Sequence, residues 1–426
     1  MNYISTRKNN EKVSFKEAVI NGLSNNGGLY FPENIPQLPT SFFDNIENLE
    51  DNEIAFQVLQ PFVKKSLTDK QLKAIITETI NFPIPVVSVE KNIFSLELFH
   101  GPTQAFKDVG ARFMSRCLSN FYTDKKEDVT ILVATSGDTG SAVANGFFNL
   151  PGVAVKILFP KEKVSPYQEF QMTNLGKNIK AIEVDGTFDD CQKLVKEAFN
   201  DKELRAKILL SSANSINIAR LLPQMLYYFF AYKQLKSKLN NKELVISVPS
   251  GNLGNLTAGL VAKKIGLPID RLIAAHNAND SFNQYLKTGE FIQKDSVLTY
   301  SNAMDVGNPS NFERIEHLYN QNLNALRKDV SSNQLSDDLT IEEMKNCYLQ
   351  NKYILDPHGA VGKLALSENI KENEIGVFLE TAHPQKFSEI MVKAIPSYKS
   401  DTVNLKGCRK ISMKKQYAEL RKILTT

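Results

Sequence analysis

Lys107 is the residue whose surroundings most clearly suggest chemistry. It lies in the stretch "ELFHGPTQAFKDVGARF", residues 97–113, just after Phe106 and at the start of an apolar helical pattern. Residues 93–99 are typical of a strand, and residues 101–103 of a turn that begins a helix. Burial among apolar neighbours lowers the pKa of a lysine amine, and a neutral amine can form an imine with a carbonyl compound. The sequence therefore predicts a reactive amine at a strand-to-helix loop, where open α/β sheets bind ligands.

A second strand-to-helix junction has the composition of a phosphate site. In "VPSGNLGNLTAG", residues 248–259, we predict that a strand ends near Pro249 and a helix begins near Asn255. Gly251 and Gly254 allow several backbone N–H groups to face one point, and the helix N-terminus adds partial positive charge. The stretch matches neither GxGxxG nor GxxxxGKS, and a tight turn that binds nothing remains the alternative.

A third junction, "ATSGDTGSAV" at residues 134–143, combines hydroxyl groups with a carboxylate. Ser136, Thr139 and the nearby N–H groups could hold a carboxylate. Asp138 would oppose an anion there unless it faces a cation or a donor. Serine, threonine and aspartate are also favoured helix caps, so a purely structural turn is the alternative.

A fourth junction, "SSANSINIARLLP" at residues 211–223, carries a potential phosphate ligand. Arg220 lies within one or two turns of the junction, and a guanidinium can bind a phosphate through two hydrogen bonds. The alternative is a helix cap at Asn214 or Ser215, with Arg220 in a structural salt bridge. A further hydroxyl, Thr381, follows a predicted strand and could contact a ligand.

Other types of site find little support in the sequence. The five histidines form no HExxH motif and no paired spacing with cysteine, so no metal site is predicted, and GxSxG is absent. The cysteines lie far apart, which predicts separate, reduced thiols in a reducing compartment: Cys117, Cys191, Cys347 and Cys408.

Composition places the chain among soluble globular proteins. Of its 426 residues, 42% are apolar and 23% charged, and the formal net charge is only +4. We therefore expect neither a nucleic-acid partner nor a membrane partner. The apolar stretch 221–232 is short for a membrane span and predicts a buried helix. Residues 1–15 lack the apolar core of a secretory signal, and we expect a cytoplasmic protein.

From about residue 91, strand-like and helix-like runs alternate along the chain. Apolar, β-branched strands between helices predict an α/β protein with open, mostly parallel sheets covered by helices on both faces. We predict a mainly helical N-terminal region at 1–90. An α/β domain with the lysine and substrate-binding turns should follow at 91–240. A second α/β domain with the phosphate loop should occupy 241–426, with a capping insertion near 280–350.

These junctions become more informative together. One lysine and three polar turns follow strands of one α/β region, and two anion-binding turns suit a ligand, or ligand pair, with more than one anionic group. Pyridoxal phosphate is a phosphate-bearing aldehyde cofactor that reacts with a lysine. The residues are therefore compatible with a pyridoxal phosphate enzyme, and they do not name its substrate.

The same stretches resemble a known family over nearly the whole chain. "NGGLYFP", "HGPTQAFKDVGARFM", "ATSGDTGSAV", "SANSINIARLLPQ", "VPSGNLGNLTAGL", "SNAMDVGNPSNFERI" and "TAHPQKF" are similar, in this order, to blocks of the threonine synthases of bacteria and fungi. The resemblance implies the pyridoxal phosphate fold type II, similar to the β subunit of tryptophan synthase. It assigns no role to the block 307–314.

The resemblance implies roles for the residues at the cofactor. Lys107 would form the imine with pyridoxal phosphate, and Thr381 would contact the pyridine nitrogen. Asp138 would lie near the phenolic oxygen, where related enzymes often have asparagine. Backbone N–H groups of five residues would hold the cofactor phosphate: Gly251, Asn252, Leu253, Gly254 and Asn255.

The resemblance also implies a substrate and a reaction. Thr135, Ser136 and Thr139 would bind the substrate carboxylate. The substrate phosphate would be held by Asn214, Ser215 and Arg220. As a carbon–oxygen lyase of threonine biosynthesis, the chain would convert O-phospho-L-homoserine and water to L-threonine and phosphate.

Other functions share part of this pattern. The alternatives are another fold type II lyase, such as a serine/threonine dehydratase or a phospholyase, and a relative that binds ligand without turnover. An α/β phosphate-binding protein without a cofactor is a third. Bacterial and fungal relatives are often monomeric, so a monomer is expected.

Overall fold

Two largely parallel sheets and a small antiparallel sheet build the chain. The computed structural model describes residues 1–7, 11–122, 129–400, 405 and 407–425. Its strands are β1 Tyr3–Ser5, β2 Lys12–Val13, β3 Tyr30–Pro32, β4 Val86–Glu90, β5 Ile93–Glu97, β6 Val129–Ala134, β7 Val153–Pro160, β8 Ile179–Asp185, β9 Leu209–Ser212, β10 Glu243–Pro249, β11 Arg271–His276, β12 Val330–Gln334, β13 Glu374–Glu380 and β14 Lys410–Lys414.

Helices follow most of these strands. They are α1 Phe15–Asn21, α2 Thr40–Asn45, α3 Asp51–Val63, α4 Asp69–Thr79, α5 Lys107–Tyr122, α6 Asp138–Gly146, α7 Pro166–Thr173, α8 Phe188–Asn200, α9 Lys202–Arg205, α10 Ile218–Leu221, α11 Met225–Leu239, α12 Gly254–Ile265, α13 Ser281–Thr288, α14 Phe312–Leu318, α15 Leu323–Asp329, α16 Asp337–Asn351, α17 Pro357–Ser367, α18 Ser388–Ala394 and α19 Tyr417–Thr425. Short 3-10 helices lie at Ile46–Asn48, Leu222–Gln224, Asn302–Met304 and Pro384–Phe387.

The larger sheet has the order β12-β11-β10-β13-β5-β4, and the smaller parallel sheet the order β14-β8-β7-β6-β9. Among the described strands of these two sheets, β4 alone runs antiparallel to its neighbour, which is β5. Every residue of the central strands β6 and β13 is buried. Strands buried on both faces are predominantly apolar, and the polar residues here are limited to Thr130 in β6 and to Glu374 and Glu380 at the two ends of β13. The predicted α/β architecture is confirmed.

The N-terminal region is less purely helical than predicted. β1, β2 and β3 form an antiparallel sheet beside α1 to α4. These strands are two or three residues long, too short for a clear alternation of apolar and polar residues. Ser14 and Thr68 form capping boxes at α1 and α4, which fixes where both helices begin.

Strand pairing does not follow the predicted domain ranges. β4, which precedes residue 91, and β5 pair within the larger sheet together with β10 to β13. β14, near the C-terminus, pairs with β8 in the smaller sheet. Each sheet is therefore built from separated parts of the chain. This pairing could not be predicted from the sequence, because the periodicity of a segment does not show which other strand it pairs with.

The segment near 280–350 is not a separate cap in this fold. Its strand β12 pairs in parallel with β11 and so extends the larger sheet. The apolar stretch 221–232 comprises the last residue of α10, the 3-10 turn Leu222–Gln224 and the start of α11, and all twelve of its residues are buried. No helix among the described residues is long and apolar enough to cross a membrane. The four cysteines are free thiols, and three of them are buried.

Candidate active site

Lys107 is the first residue of α5, and the turn before it is attached to the segment after β13. Ala105 and Ala382 form an antiparallel bridge, and the Phe106 N–H donates to the Thr381 carbonyl at 2.9 Å. These backbone contacts bring the predicted lysine beside the predicted hydroxyl residue Thr381. Two stretches far apart in sequence thus meet at one edge of the larger sheet.

The electrostatics of Lys107 favour its neutral form. Burial is the largest cause that lowers the pKa of its amine, and the charges of Lys386 and Arg220 lower it further. Asp138 acts in the opposite direction and raises it. The net pKa lies below the ordinary lysine value, as a nucleophilic amine requires.

Asp138, the first residue of α6, lies opposite a second buried lysine. Lys386 Nζ is 2.6 Å from Asp138 Oδ1, and Gln168 Nε2 donates to the same oxygen at 3.0 Å. Burial raises the pKa of Asp138, but the charges of Lys386 and Lys107 outweigh it and hold the pKa below its usual value. The cation and the donor that the sequence analysis required for this carboxylate are therefore present.

The turn at 134–140 is ordered by one hydroxyl. Thr135 Oγ1 accepts from the N–H groups of Gly137 at 2.9 Å and Gly140 at 2.8 Å. Because its lone pairs are used inside the turn, Thr135 keeps only its O–H for a ligand. Ser136 and Thr139 are partly exposed beside it. The N-cap residue of α6 is Gly137, which makes no side-chain cap, but Thr135 accepts from a first-turn N–H of this helix and so meets part of the predicted capping alternative.

The phosphate loop leaves the N-terminus of α12 open. Leu253 adopts a left-handed conformation with φ 57°, α12 begins at Gly254, and no side chain caps it. A Cβ on Gly251 would lie 2.7 Å from the Met304 Cα, so only glycine fits this turn. Asn255 Oδ1 accepts from the Tyr228 hydroxyl at 2.6 Å.

The amide Nδ2 of Asn255 is buried and has no partner among the described residues. An unpaired buried donor is costly, and here it lies at the start of a helix whose N-terminus attracts anions. The loop therefore has the features of an anion-binding site, in which the Asn255 amide could donate to an anionic acceptor.

Asn252 connects this loop to neighbouring segments. Its Nδ2 donates to Ser215 Oγ at 2.5 Å, and its carbonyl accepts from Asn311 Nδ2 at 2.9 Å. Its Oδ1 accepts from the Ser310 N–H. Ser215, predicted at a substrate phosphate, therefore lies directly beside the loop predicted for the cofactor phosphate.

Arg220 is a buried guanidinium without an ion pair among the described residues. It donates to the Ala213 carbonyl through Nη1, and its Nε has no partner. A Cβ on Gly110 would lie 2.8 Å from the Arg220 carbonyl oxygen, so α5 passes very close. Burial lowers the pKa of Arg220 to about 10. The structural salt bridge considered for Arg220 is absent, and the cap of α10 is Asn217, not Asn214 or Ser215.

Asn214 adds a second polar atom without a partner at this junction. Its Oδ1 is buried and accepts no hydrogen bond from a described residue. Its N–H donates to Ser212 Oγ at 3.3 Å. Together with the Arg220 Nε, it leaves polar capacity for a ligand.

Arg314, in the block without an assigned role, is a site residue that the sequence analysis missed. Its fully buried side chain donates to the carbonyls of Tyr30 at 2.8 Å and Ile216 at 2.7 Å, and to Asn311 Oδ1 at 2.7 Å. A longer contact of 3.4 Å reaches the carbonyl of Ser215. Arg314 thus joins the N-terminal region to the junction before α10 and, through Asn311, to the loop at Asn252. The residue type alone gives no signal of this.

A buried pair of Asp356 and His358 contacts the segment at Ala303, which packs against Gly251 of the phosphate loop. His358 Nδ1 is 2.5 Å from Asp356 Oδ1, and His358 Nε2 accepts from the Ala303 N–H at 3.1 Å. The stretch Asp356 to Gly359 is the capped start of α17.

Glu380, just before Thr381, adjoins this group. Asp356 N–H donates to Glu380 Oε1 at 2.6 Å. Burial and the neighbouring Asp356 raise the pKa of Glu380 well above its usual value, which favours a neutral carboxylic acid. The strand end that carries Thr381 is therefore fixed by polar contacts on both sides.

One acidic group resembles a cation site. Ligand atoms of Glu243, Asp270 and Glu374 lie within 4.8 Å of one another. Arg271 makes ion pairs with both Glu374 and Asp270. The guanidinium already supplies positive charge to these carboxylates, and the group lies at the start of β10, away from the lysine.

Known proteins share both the sequence and the architecture of this chain. A family model described as "Pyridoxal-phosphate dependent enzyme" matches residues 77–380, and one described as "Threonine synthase N terminus" matches residues 2–80. The solved structure of threonine synthase from Escherichia coli has a TM-score of 0.92 and 41% identity, covering 100% of this chain and 99% of its own. Threonine synthase from Brucella melitensis, solved with pyridoxal phosphate bound, has a TM-score of 0.93 at 33% identity, with 100% and 99% covered.

Fold and site together define a pyridoxal phosphate enzyme of fold type II. Among curated proteins, threonine synthase from Haemophilus influenzae is 48% identical over 394 residues, which are 91% of this chain and 90% of that protein. Threonine synthase from Saccharomyces cerevisiae is 36% identical over 93% of this chain and 89% of that protein. The chain belongs to the threonine synthase family.

The residues present fit pyridoxal phosphate. The cofactor has an aldehyde, which suits an amine of lowered pKa at Lys107, and a phosphate, which suits the open N-terminus of α12 and the unpaired Asn255 Nδ2. Which atoms of the cofactor meet Asp138 and Thr381 stays a prediction.

Proposed function

We propose that this chain converts O-phospho-L-homoserine and water to L-threonine and phosphate, with Lys107 as the catalytic residue. The observation that carries the proposal is the meeting of three features that follow strands of both sheets. They are an amine of lowered pKa, an open helix N-terminus, and a buried arginine with an unpaired Nε. Their charges match a cofactor with a phosphate and a substrate with two anionic ends.

Pyridoxal phosphate, when bound, supplies the electron sink for negative charge that develops at the substrate carbons. The loop at Gly251, Asn252, Leu253, Gly254 and Asn255 would hold its phosphate, and Thr381 its pyridine nitrogen. Lys107 would hold its aldehyde carbon. Asp138 would lie near its phenolic oxygen.

Lys107 would also act as the general base and acid of the reaction. Once its amine is free, it would take a proton from Cα and move protons at Cβ. Phosphate would leave from Cγ, and water would add at Cβ. An amine of lowered pKa exchanges protons near neutral pH more readily than an ordinary lysine does.

The two ends of the substrate would be held by separate turns. Ser136 and Thr139, with the O–H of Thr135, would bind the carboxylate beside the N-terminus of α6. Arg220, with Asn214 and Ser215, would bind the phosphate and stabilise its departure. The unpaired Arg220 Nε and Asn214 Oδ1 support this assignment.

The test is phosphate release from O-phospho-L-homoserine by the purified chain, with threonine measured in the same samples. L-Serine is the control substrate, because a dehydratase would act on it and because it has no phosphate for Arg220. Equal amounts of phosphate and threonine, their loss in Lys107→Ala, and a KM raised about tenfold or more in Arg220→Lys are expected. Keto acid from serine at a comparable rate would contradict the proposal.

We also propose that the enzyme works as a monomer in the cytoplasm on this small-molecule substrate. Four free cysteines, three of them buried, fit a reducing compartment. The mass from light scattering, against 47.8 kDa for one chain, tests the oligomeric state.

A further inference from the structure

A second buried lysine lies at the active site without a role in the reaction proposed above. The side chain of Lys386 is fully buried, and that of Asp138 is 3% exposed. Lysine is almost never fully buried unless it is paired. The 3-10 turn Pro384–Phe387 thus places a cation directly against the first residue of α6.

Lys386 is held in one position by two acceptors. Its Nζ is 2.6 Å from Asp138 Oδ1 and donates to the Thr103 carbonyl at 2.9 Å. Gln168 Nε2 donates to the same Asp138 oxygen at 3.0 Å. Thr103 is in turn fixed by Asp108, which accepts from its N–H at 2.8 Å.

The two members of this pair have opposite effects on the protonation of Lys107. Asp138 stabilises the ammonium form of Lys107, whereas Lys386 and Arg220 destabilise it. Asp138 is the acidic group whose charge raises the pKa of Lys107. Lys386 also faces Asp108 and His383, but neither contributes to the balance at Lys107.

We propose that Lys386 is a positioning residue that neutralises the Asp138 carboxylate, and thereby favours the uncharged amine of Lys107 that reacts with the cofactor. The proposal rests on the role of Lys107 in the proposed function. Without Lys386, Asp138 would have Lys107 as its nearest cation, and the two would form an ion pair. An aspartate at this place would then hold the nucleophile in its unreactive form.

The pair also carries no net charge at the predicted position of the cofactor. Asp138 with Lys386 is neutral overall, as an asparagine is. The pair would therefore place no net negative charge beside the phenolic oxygen of the cofactor. Replacing both residues, Asp138→Asn with Lys386→Met, should restore that neutral arrangement by another route.

The experiment measures the pH at which Lys107 becomes reactive in the cofactor-free, full-length chain. A trace amine-acylating reagent labels the protein over a pH series, and peptide mass spectrometry reads Lys107 against exposed lysines of the same molecule. Lys386→Met should raise the midpoint of Lys107 by about one pH unit or more, because its ammonium form gains an unshared carboxylate. Asp138→Asn should lower the midpoint, because Lys386 and Arg220 then act on Lys107 without opposition.

The double variant distinguishes a charge effect from a structural one. In Asp138→Asn with Lys386→Met, the midpoint should return to within a few tenths of a unit of the unmodified chain. An unchanged midpoint in Lys386→Met would overturn the proposal. If Lys386→Met does not fold, the decisive comparison is Asp138→Asn with the double variant, which should differ by about one unit, and equal midpoints overturn the proposal. Labelling requires no turnover, so failure of the proposed reaction would be recognised separately.

Discussion

At the scale of single residues, the site is a balance of buried charges. Lys107 and Arg220 both have pKa values lowered by burial, and neither has a carboxylate within ion-pair distance among the described residues. Anionic ligands would supply the missing negative charge. Asn255 likewise lacks a partner, although it is neutral, because its buried Nδ2 makes no hydrogen bond to a described residue.

Replacing Asn255 by aspartate should weaken pyridoxal phosphate binding. The change keeps the shape of the side chain and still allows the hydrogen bond from the Tyr228 hydroxyl. It exchanges an unpaired donor for a negative oxygen beside the phosphate loop. We expect the Kd of the cofactor to rise about 10- to 100-fold, equivalent to about 1.4 to 2.8 kcal/mol, in a fluorescence titration of the cofactor-free chain.

Tyr228→Phe is the control for this variant, because it removes the 2.6 Å hydrogen bond to Asn255 without adding charge. Its Kd should change by less than about fivefold, since a neutral hydrogen bond contributes about 1 kcal/mol. Equal effects of the two variants would mean that Asn255 does not face the phosphate.

At the scale of elements, the start of α14 holds the two anion-binding turns together. Arg314 is fully buried, and its hydrogen bonds go to the carbonyls of Tyr30 and Ile216 and to Asn311. Asn311 in turn donates to the Asn252 carbonyl. The block 307–314 therefore connects the N-terminal region, the junction before α10 and the phosphate loop.

Arg314→Met should lower both stability and cofactor affinity. It would leave buried carbonyl groups of Tyr30 and Ile216 without donors, at about 1 to 3 kcal/mol for each. We expect the free energy of unfolding to fall by about 3 kcal/mol or more in denaturant titrations. The Kd of pyridoxal phosphate should rise as well, because Asn252 and Ser215 lose their support.

The adjacent residue provides a matched control. Glu313 makes a surface ion pair with Arg7 at 2.6 Å, so Glu313→Gln should cost less than about 1 kcal/mol. If Arg314→Met were destabilised while its cofactor Kd stayed the same, the block would have only a structural role.

At the scale of the whole molecule, the C-terminal strand β14 extends the smaller sheet, whose other strands lie much earlier in the sequence. β14 pairs with β8, and α19 packs onto the core beneath this sheet through Leu420 and Leu424. The smaller sheet carries the turn at Asp138, whereas Lys107, the phosphate loop and Thr381 follow strands of the larger sheet. The site is therefore assembled from both sheets.

Leu420→Ala should lower stability without changing the chemistry of the site. Leu420 is fully buried, and truncating a buried leucine costs about 2 to 5 kcal/mol. We expect a lower thermal midpoint, with kcat and KM unchanged below the unfolding transition.

The control is Leu298→Ala, because Leu298 is 81% exposed and its truncation should change stability by less than about 0.5 kcal/mol. A change of kcat in Leu420→Ala at low temperature would show instead that the C-terminal segment acts on the site.

The sequence by itself determined the local chemistry. Glycines, hydroxyl residues and alternating apolar segments are short-range signals, and they located the helix starts at Asp138 and Gly254 within one or two residues. The helix that begins at Lys107 was predicted to start about four residues earlier, at the turn 101–103. The α/β class followed from the same alternation. The family followed from the order of the blocks.

Only the tertiary structure decided which distant residues share a contact. Lys386 against Asp138 is one such contact, and Arg314 against Tyr30 is another. The pairing of β14 with β8 joins residues more than 200 positions apart. Such contacts depend on the packing of whole elements, and a lysine or an arginine has the same local sequence pattern whether its partner is water or a buried carboxylate. For that reason the charge balance at Lys107 could not be inferred before the fold was known.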